Sequence, residues 1–247
     1  MNLKGSIQEI ESLDKITIDS MYHLMDSCYD DVYFDTFKSD LSQKHHSILL
    51  RDESKNLQGF STLAVYPLVC RGETCAVLFS GDTIINPDFW GSSELPKMWL
   101  AYSFSLMEQS SDPCYWFLMS KGYKTYRFLP TFFNSYIPML EGPSLEDEIG
   151  IRDTFAKTHF SEFYDANNGV IRFGGRKDKL KEGIADIDDR RMRNPQIAYF
   201  VSLNPGWQRG DELACVARLD KDNLTSRALG WGSSTLKELS YKISIRQ

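Results

Sequence analysis

Histidine and cysteine are scarce: four and five in 247 residues, and none of them stands at a metal-ligand spacing. There is no CxxC pair, no histidine with a partner one helical turn away and no glutamate at zinc-site separation, so no metal centre is expected. The five thiols (Cys28, Cys70, Cys75, Cys114, Cys215) are odd in number and scattered. Cys70 and Cys75 bracket a hairpin turn across which a disulfide is conceivable, but reduced, buried thiols are the expected state.

Long apolar runs are missing too. None approaches the roughly 18 residues that a membrane helix needs. The opening MNLKGSIQEIESLDK is polar and acidic and has no apolar centre, unlike a secretory leader. Positive charge is in deficit, with 28 Lys and Arg against 34 Asp and Glu and a formal net charge of −6, so non-specific nucleic-acid binding is not expected. The expectation is a cytoplasmic protein with no membrane and no nucleic-acid partner. No repeat or low-complexity linker divides the chain. With 42% apolar residues it can bury a substantial core, and a boundary, if there is one, is expected near 140–145.

Apolar periodicity supplies the elements. A short strand is expected at 6–12. A helix follows from Thr17 to Cys28, capped by Thr17 or Asp19. Asp30-Asp31 breaks it, and a second helix covers Val32 to Leu41. Residues 46–51 and 57–69 read as strands, the second broken at Pro67, and Arg71-Gly72 turns the chain into a third. The chain is expected to organise around 76–127. There a buried strand (Ala76–Ile85) meets a turn (Phe89-Trp90-Gly91-Ser92-Ser93), a helix from Glu94 to Gln109, a second strand from Cys114 to Met119, and a tyrosine-rich helix over Lys121–Phe132. Further on, a helix is expected over Ser144–His159 and a turn at Asn167-Asn168-Gly169. Short strands are expected at Val170–Phe173, Ile197–Leu203 and Glu212–Leu219. The charge run RKDKLKEGIADIDDRRMR at 176–193 reads as a solvated helical face, with an anion- or partner-binding surface as the alternative. The last 25 residues are weakly patterned.

This order of helices, β-meander, strand–turn–helix, strand and tyrosine-bearing helix resembles the acyl-CoA N-acyltransferase superfamily (GNAT) over roughly residues 6–135. ILLRDESKNLQGFSTLAVY resembles its central hairpin, VLFSGDTIINP its fourth strand, and PCYWFLMSKGYKTYRFL its fifth strand with the following helix. The implied fold is α/β (α+β), a mixed, largely antiparallel sheet flanked by helices. It would comprise a GNAT-like region at 1–140 and a helix-and-strand extension at 141–247 packed on it. The implied co-substrate is acetyl-CoA or a longer acyl-CoA, and the implied partner a small-molecule amine, with homodimerisation left open. In the family, a Q/R-x-x-G-x-G/A turn cradles the pyrophosphate on backbone amides. Here the corresponding residues are Pro87-Asp88-Phe89-Trp90-Gly91-Ser92-Ser93, with one glycine, two serines and no leading basic residue. The resemblance places the donor site at Ile84, Asn86, Phe89, Gly91, Ser92 and Ser93.

Acyl transfer to an amine needs a base, an oxyanion donor and an acid for the thiolate. Asp82, near the end of its strand, is the candidate base; an Asp paired across the hairpin or simply solvated is the alternative. Tyr123 and Tyr126 lie about where the family's thiolate-protonating tyrosine lies, and pairs of packing aromatics are the alternative. Tyr102, Ser120 and Arg127 are the candidate substrate contacts. Lys97 and Lys124, with Arg127, are candidate phosphate neighbours. The aromatic cluster Trp90, Trp99, Tyr102, Phe104, Tyr115, Trp116, Phe117 and Phe128 reads as core, or in part as an apolar acyl channel with Phe132, Phe133 and Tyr136 as its lid. The alternative function is a non-catalytic GNAT-like interaction protein with a lost donor site.

Overall fold

The computed structural model describes residues 2–175, 178–239, 243 and 245. Strand β1 (Lys4–Glu9) leads into helix α1 (Lys15–Cys28), the two-residue β2 (Tyr29–Asp30) and α2 (Phe34–Ser42). A meander follows, formed by β3 (His46–Arg51), β4 (Leu57–Cys70) and β5 (Glu73–Ile85). Helix α3 (Glu94–Gln109) crosses to β6 (Cys114–Ser120), which lies parallel to β5. Beyond β6 come α4 (Tyr123–Tyr126), α5 (Phe128–Phe132), α6 (Glu146–Phe160), β7 (Tyr164–Asp165), β8 (Val170–Ile171) and β9 (Lys179–Leu180). The chain ends with α7 (Asp189–Met192), α8 (Pro195–Leu203), β10 (Glu212–Leu219) and α9 (Ser226–Glu238).

Eight strands form one sheet in the order β1-β3-β4-β5-β6-β10-β8-β7, and β2 pairs with β9 apart from it. Every neighbouring pair but β5–β6 is antiparallel, so the fold class is the expected one. β10, from the last quarter of the chain, lies against β6 and completes the centre of the sheet.

Helix α3 is buried almost all round, with Leu95, Met98, Trp99, Leu100, Tyr102, Phe104 and Leu106 all in the main core. Each such side chain stabilises the fold by about 1.5–3 kcal/mol relative to exposure. A second apolar cluster packs α6 (Ile151, Phe155) on Phe79 and Phe117, and a third packs α1 and α2 (Met21, Phe37, Leu41) on Leu49 and Phe60. The sheet is therefore covered on both faces, which fixes β5 and β6 where the site will form.

Several local expectations need correction. Asp14 caps α1 by accepting from the Thr17 amide at 2.7 Å, in place of Thr17 or Asp19. β4 runs unbroken through Pro67, because β3 pairs with it only as far as Leu63 and leaves Pro67 an edge where no N–H is needed. The helix expected over 121–132 is two short ones meeting at Arg127. Pro130 cannot donate to the Tyr126 carbonyl, so a continuous helix would lose that bond. Ile197–Leu203 is helical, not a strand: Asn194 accepts from the Gln196 and Ile197 amides and Pro195 sits at the first helical position.

The 176–193 run is not a helix. Gly183 has φ +85°, β9 pairs with β2, and only Asp189–Met192 is helical; Arg176 and Lys177 lie outside the described residues. The weakly patterned tail forms α9, capped by Thr225. All five cysteines are free thiols.

Candidate functional site

β5 and β6 pair from Ala76 and Cys114 to Ser80 and Leu118, and no further. Beyond Ser80, β5 stays with β4 (Thr83 opposite Ser61, Ile85 opposite Gly59), whereas β6 stays with β10 (Ser120 opposite Leu213). A register shift between Ser61 and Leu63 bends the β4–β5 pair at the same level. The two strands therefore part, and the gap is a cleft of about 480 Å³.

One wall is β5 from Phe79 to Ile85, continued by Trp90–Ser93 and by Leu95 and Pro96 of α3. The other is Met119, Lys121, Gly122, Lys124, Thr125 and Arg127. Leu180, Ile184 and Ala185 close over it, so the segment expected to face solvent instead covers the cleft. Leu180 lies so near Gly122 that a Cβ there would meet its Cδ1 at 3.2 Å.

At the strand divergence, Ser80 is buried and lines the cleft. Its Oγ accepts the indole N–H of Trp99 at 3.2 Å and of Trp116 at 2.9 Å. Both lone pairs being engaged, the hydroxyl hydrogen must point away from the indoles, and it has no acceptor among the described residues. Asp82 lines the same wall two residues on.

Opposite stands a charged group from three distant segments. Lys121 lies 2.5 Å from Asp178 and 3.7 Å from Glu212, and its ammonium is 5.0 Å from the centre of the Tyr29 ring. Burial first, and then the charges of Asp178, Asp82 and Glu212, push the Tyr29 hydroxyl well above its ordinary pKa, so it stays protonated.

At the other end, the turn before α3 has its own order. Asn86 accepts from the Asp88 amide and donates to Gln58. The Trp90 and Ser92 amides donate to Pro87 and Phe89, and the Glu94 amide to the Ser92 hydroxyl. Gly91, at φ +93°, takes a backbone shape that L residues rarely adopt. Among the described residues, the Gly91 and Ser93 amides have no acceptor. The Trp90 indole N–H is tied to the Ile85 carbonyl at 2.9 Å, leaving the ring on the rim, and Asp88 is exposed outside the lining. Lys124 sits 2.9 Å from the Trp90 ring centre and donates to the Ile184 carbonyl at 2.6 Å. Burial, then Arg191, brings its pKa down to about 8.

The structure thus brings Asp82, Ile84, Gly91, Ser92, Ser93 and Arg127 to one cleft. It turns others away. Tyr123 and Tyr126 are buried in the core and do not line it, and the Tyr126 hydroxyl donates to the Pro138 carbonyl at 3.0 Å. Tyr102 is fully buried with its hydroxyl 3.0 Å from His46 Nδ1. Ser120 is buried and donates to the Gly122 carbonyl, and Phe89 is a core side chain beneath the turn. Asn86 holds the turn without lining the cleft. Sequence reasoning missed Tyr29, Ser80, Lys121, Asp178 and Glu212 as one group. Glu212 carried a faint signal, a charge opening an apolar strand; Tyr29 carried none.

The order of elements is the one expected from the sequence: a meander, then a strand–turn–helix, then a parallel strand that separates from its neighbour. No protein-family model matches the chain, and neither does any curated protein. A probable N-acyltransferase from Enterococcus faecalis V583 is 14% identical, with a TM-score of 0.41 over 54% of this chain and 33% of its own. The Escherichia coli GNAT family N-acetyltransferase YhbS, solved in complex with CoA, is 14% identical, with a TM-score of 0.39 over 53% of this chain and 70% of its own. N-acetylglutamate synthase from Neisseria gonorrhoeae, complexed with coenzyme A and N-acetyl-glutamate, is 12% identical, with a TM-score of 0.38 over 88% of this chain and 36% of its own. The chain spans about a third of the length of the first and last of these.

Proposed function

We propose that this cleft transfers an acyl group from a CoA thioester, acetyl or longer, to the nitrogen of a small-molecule amine. The observation that carries the reading is the parting of β5 and β6 beside a strand–turn–helix. The exposed edge of β5 offers backbone partners to an extended amide-bearing arm. The Gly91 and Ser93 amides at the N-terminus of α3, with Arg127 across the gap, offer donors to phosphate oxygens. Asp88 is exposed and does not line the cleft.

The chemistry falls to the residues at the divergence. Ser80 directs its hydroxyl hydrogen at the position where a thioester carbonyl becomes an oxyanion, held there by two indoles that do not reorganise. Asp82 takes the proton from the incoming ammonium, directly or through water, because only the neutral amine attacks. Tyr29 lines the cleft where Tyr123 and Tyr126 do not, and its protonated hydroxyl is a hydrogen-bond donor to the departing thiolate. The reading of a lost donor site loses support, since it requires Trp90 or Asp88 to fill the turn, and neither does.

The test is thermal unfolding against CoA, acetyl-CoA, and medium- and long-chain acyl-CoA. A ligand at about 100 times its Kd stabilises the fold by roughly 2.7 kcal/mol. The expected result is a rise with CoA that disappears in Gly91→Glu. Absence of any shift at millimolar thioester would end the reading.

A further inference from the structure

Lys124 is a basic residue of the cleft that the proposed reaction leaves unused, and its surroundings admit an amine as well as an ammonium. Nζ donates one hydrogen to the Ile184 carbonyl at 2.6 Å and lies 2.9 Å from the centre of the Trp90 ring, whose face accepts a second. Among the described residues no carboxylate pairs with it. A neutral amine keeps both contacts and has its lone pair free for the cleft it lines, while the ammonium is held only by the ring face and one carbonyl.

The charges around it agree. Burial and Arg191 of α7 favour the neutral form; Cys28 of α1 and Asp186 before α7 oppose it, and the balance sets the pKa at about 8. Lysines lowered in this way act as nucleophiles.

We propose that Lys124 is an acyl-accepting site, whose amine attacks activated acyl groups that enter the cleft. The lysine nitrogen forms a bond to the acyl carbon, the carbon–sulfur bond of the thioester breaks, and the nitrogen's proton goes to the released thiolate. The product is a neutral amide on Lys124 and a free thiol. The amide keeps an N–H for the Ile184 carbonyl but loses the cation over Trp90 and leaves an acyl group standing in the cleft. The site needs an activated acyl compound of either of two kinds, a nucleotide-bearing thioester or a simple one.

The experiment incubates the full chain with acetyl-CoA and, separately, with S-acetyl-N-acetylcysteamine, which has no nucleotide. Peptide mass spectrometry then follows Lys124 against exposed Lys55 from pH 6 to pH 10. At pH 8 the neutral fraction of Lys124 is ~10²-fold that of an ordinary lysine, so acetylation at least about tenfold faster than at Lys55 is expected, with half-maximal rate near pH 8. Labelling by both thioesters, or by acetyl-CoA alone, supports the site; the second outcome also ties it to donor binding. Lys124 no faster than Lys55 with either reagent overturns it, whatever the CoA thermal shift shows. Lys124→Arg, checked by circular dichroism for a native fold, must lose the fast-labelled position and no other.

Discussion

Trp116 donates its indole N–H to the Ser80 hydroxyl at 2.9 Å, where β5 is about to leave β6. Trp99 does the same from α3, and the two indoles lie 4.3 Å apart. One hydroxyl thus satisfies two buried donors on the floor of the cleft and couples the core to the site. Ser80→Ala leaves both indoles unpaired, at about 1–3 kcal/mol each. Urea unfolding should show a loss of about 2 kcal/mol or more, and the acyl-transfer rate should fall further than stability explains. A variant as stable and as active as the parent would remove Ser80 from the mechanism.

Asp82→Asn should lower kcat/KM by about 10²–10⁴-fold at neutral pH, as removal of a general base does. The thermal shift with CoA should persist, because Asp82 stands on the chemical end of the cleft. Loss of CoA binding together with activity would assign Asp82 to the fold instead.

Tyr126→Phe separates two roles that the sequence leaves open. Its hydroxyl is hydrogen-bonded to the Pro138 carbonyl in the core, so the change should cost about 1 kcal/mol of stability. Activity should stay within about twofold. Tyr29→Phe should do the reverse, lowering kcat more than stability, measured on the same preparations.

The Lys121 pairs reach from β6 to Asp178 and to Glu212 at the head of β10. Lys121→Met removes the cation beside buried Asp178 and Glu212, and breaking a buried pair costs about 3–5 kcal/mol. Lys121→Met combined with Asp178→Asn should recover part of that loss in a denaturant titration. Additive losses would show that the pairs are not coupled.

Acid sensitivity is predicted at the β7–β8 hairpin. The Arg172 hydrogen bond, then Asn168, holds Asp165 down at about 2. A depressed carboxylate stabilises the fold above its unfolded pKa of about 3.9. That contribution fades as pH falls toward 2. Arg172→Met should therefore lower Tm at pH 6, and the gap from the parent should close as pH approaches 2. A gap independent of pH would assign the effect to lost packing.

Much of the fold was legible in the chain. The helix over Glu94–Gln109 and the strands of the meander follow from long apolar patterns and clear turns, which tertiary contacts reinforce. Pro195–Leu203 misled because a short apolar run has no period of its own, although Asn194-Pro195 held the helix signal. The charge run before it misled because its few apolar residues (Leu180, Ile184, Ala185) close the cleft rather than line a helix face.

By itself, the sequence determined the mixed sheet and the strand–turn–helix, because both depend on local pattern; that Asp82 and Gly91–Ser93 line one cleft follows from how those elements pack. Which tyrosine meets the cleft was decided by tertiary structure alone. Tyr126 satisfies its hydroxyl in the core, while Tyr29 reaches the cleft from β2, nearly a hundred residues earlier in the chain. Lys121, Asp178 and Glu212 meet for the same reason: β10 inserts beside β6, and no spacing in the chain encodes that pairing. Buried charges must find partners, and only the folded sheet brings those partners within reach.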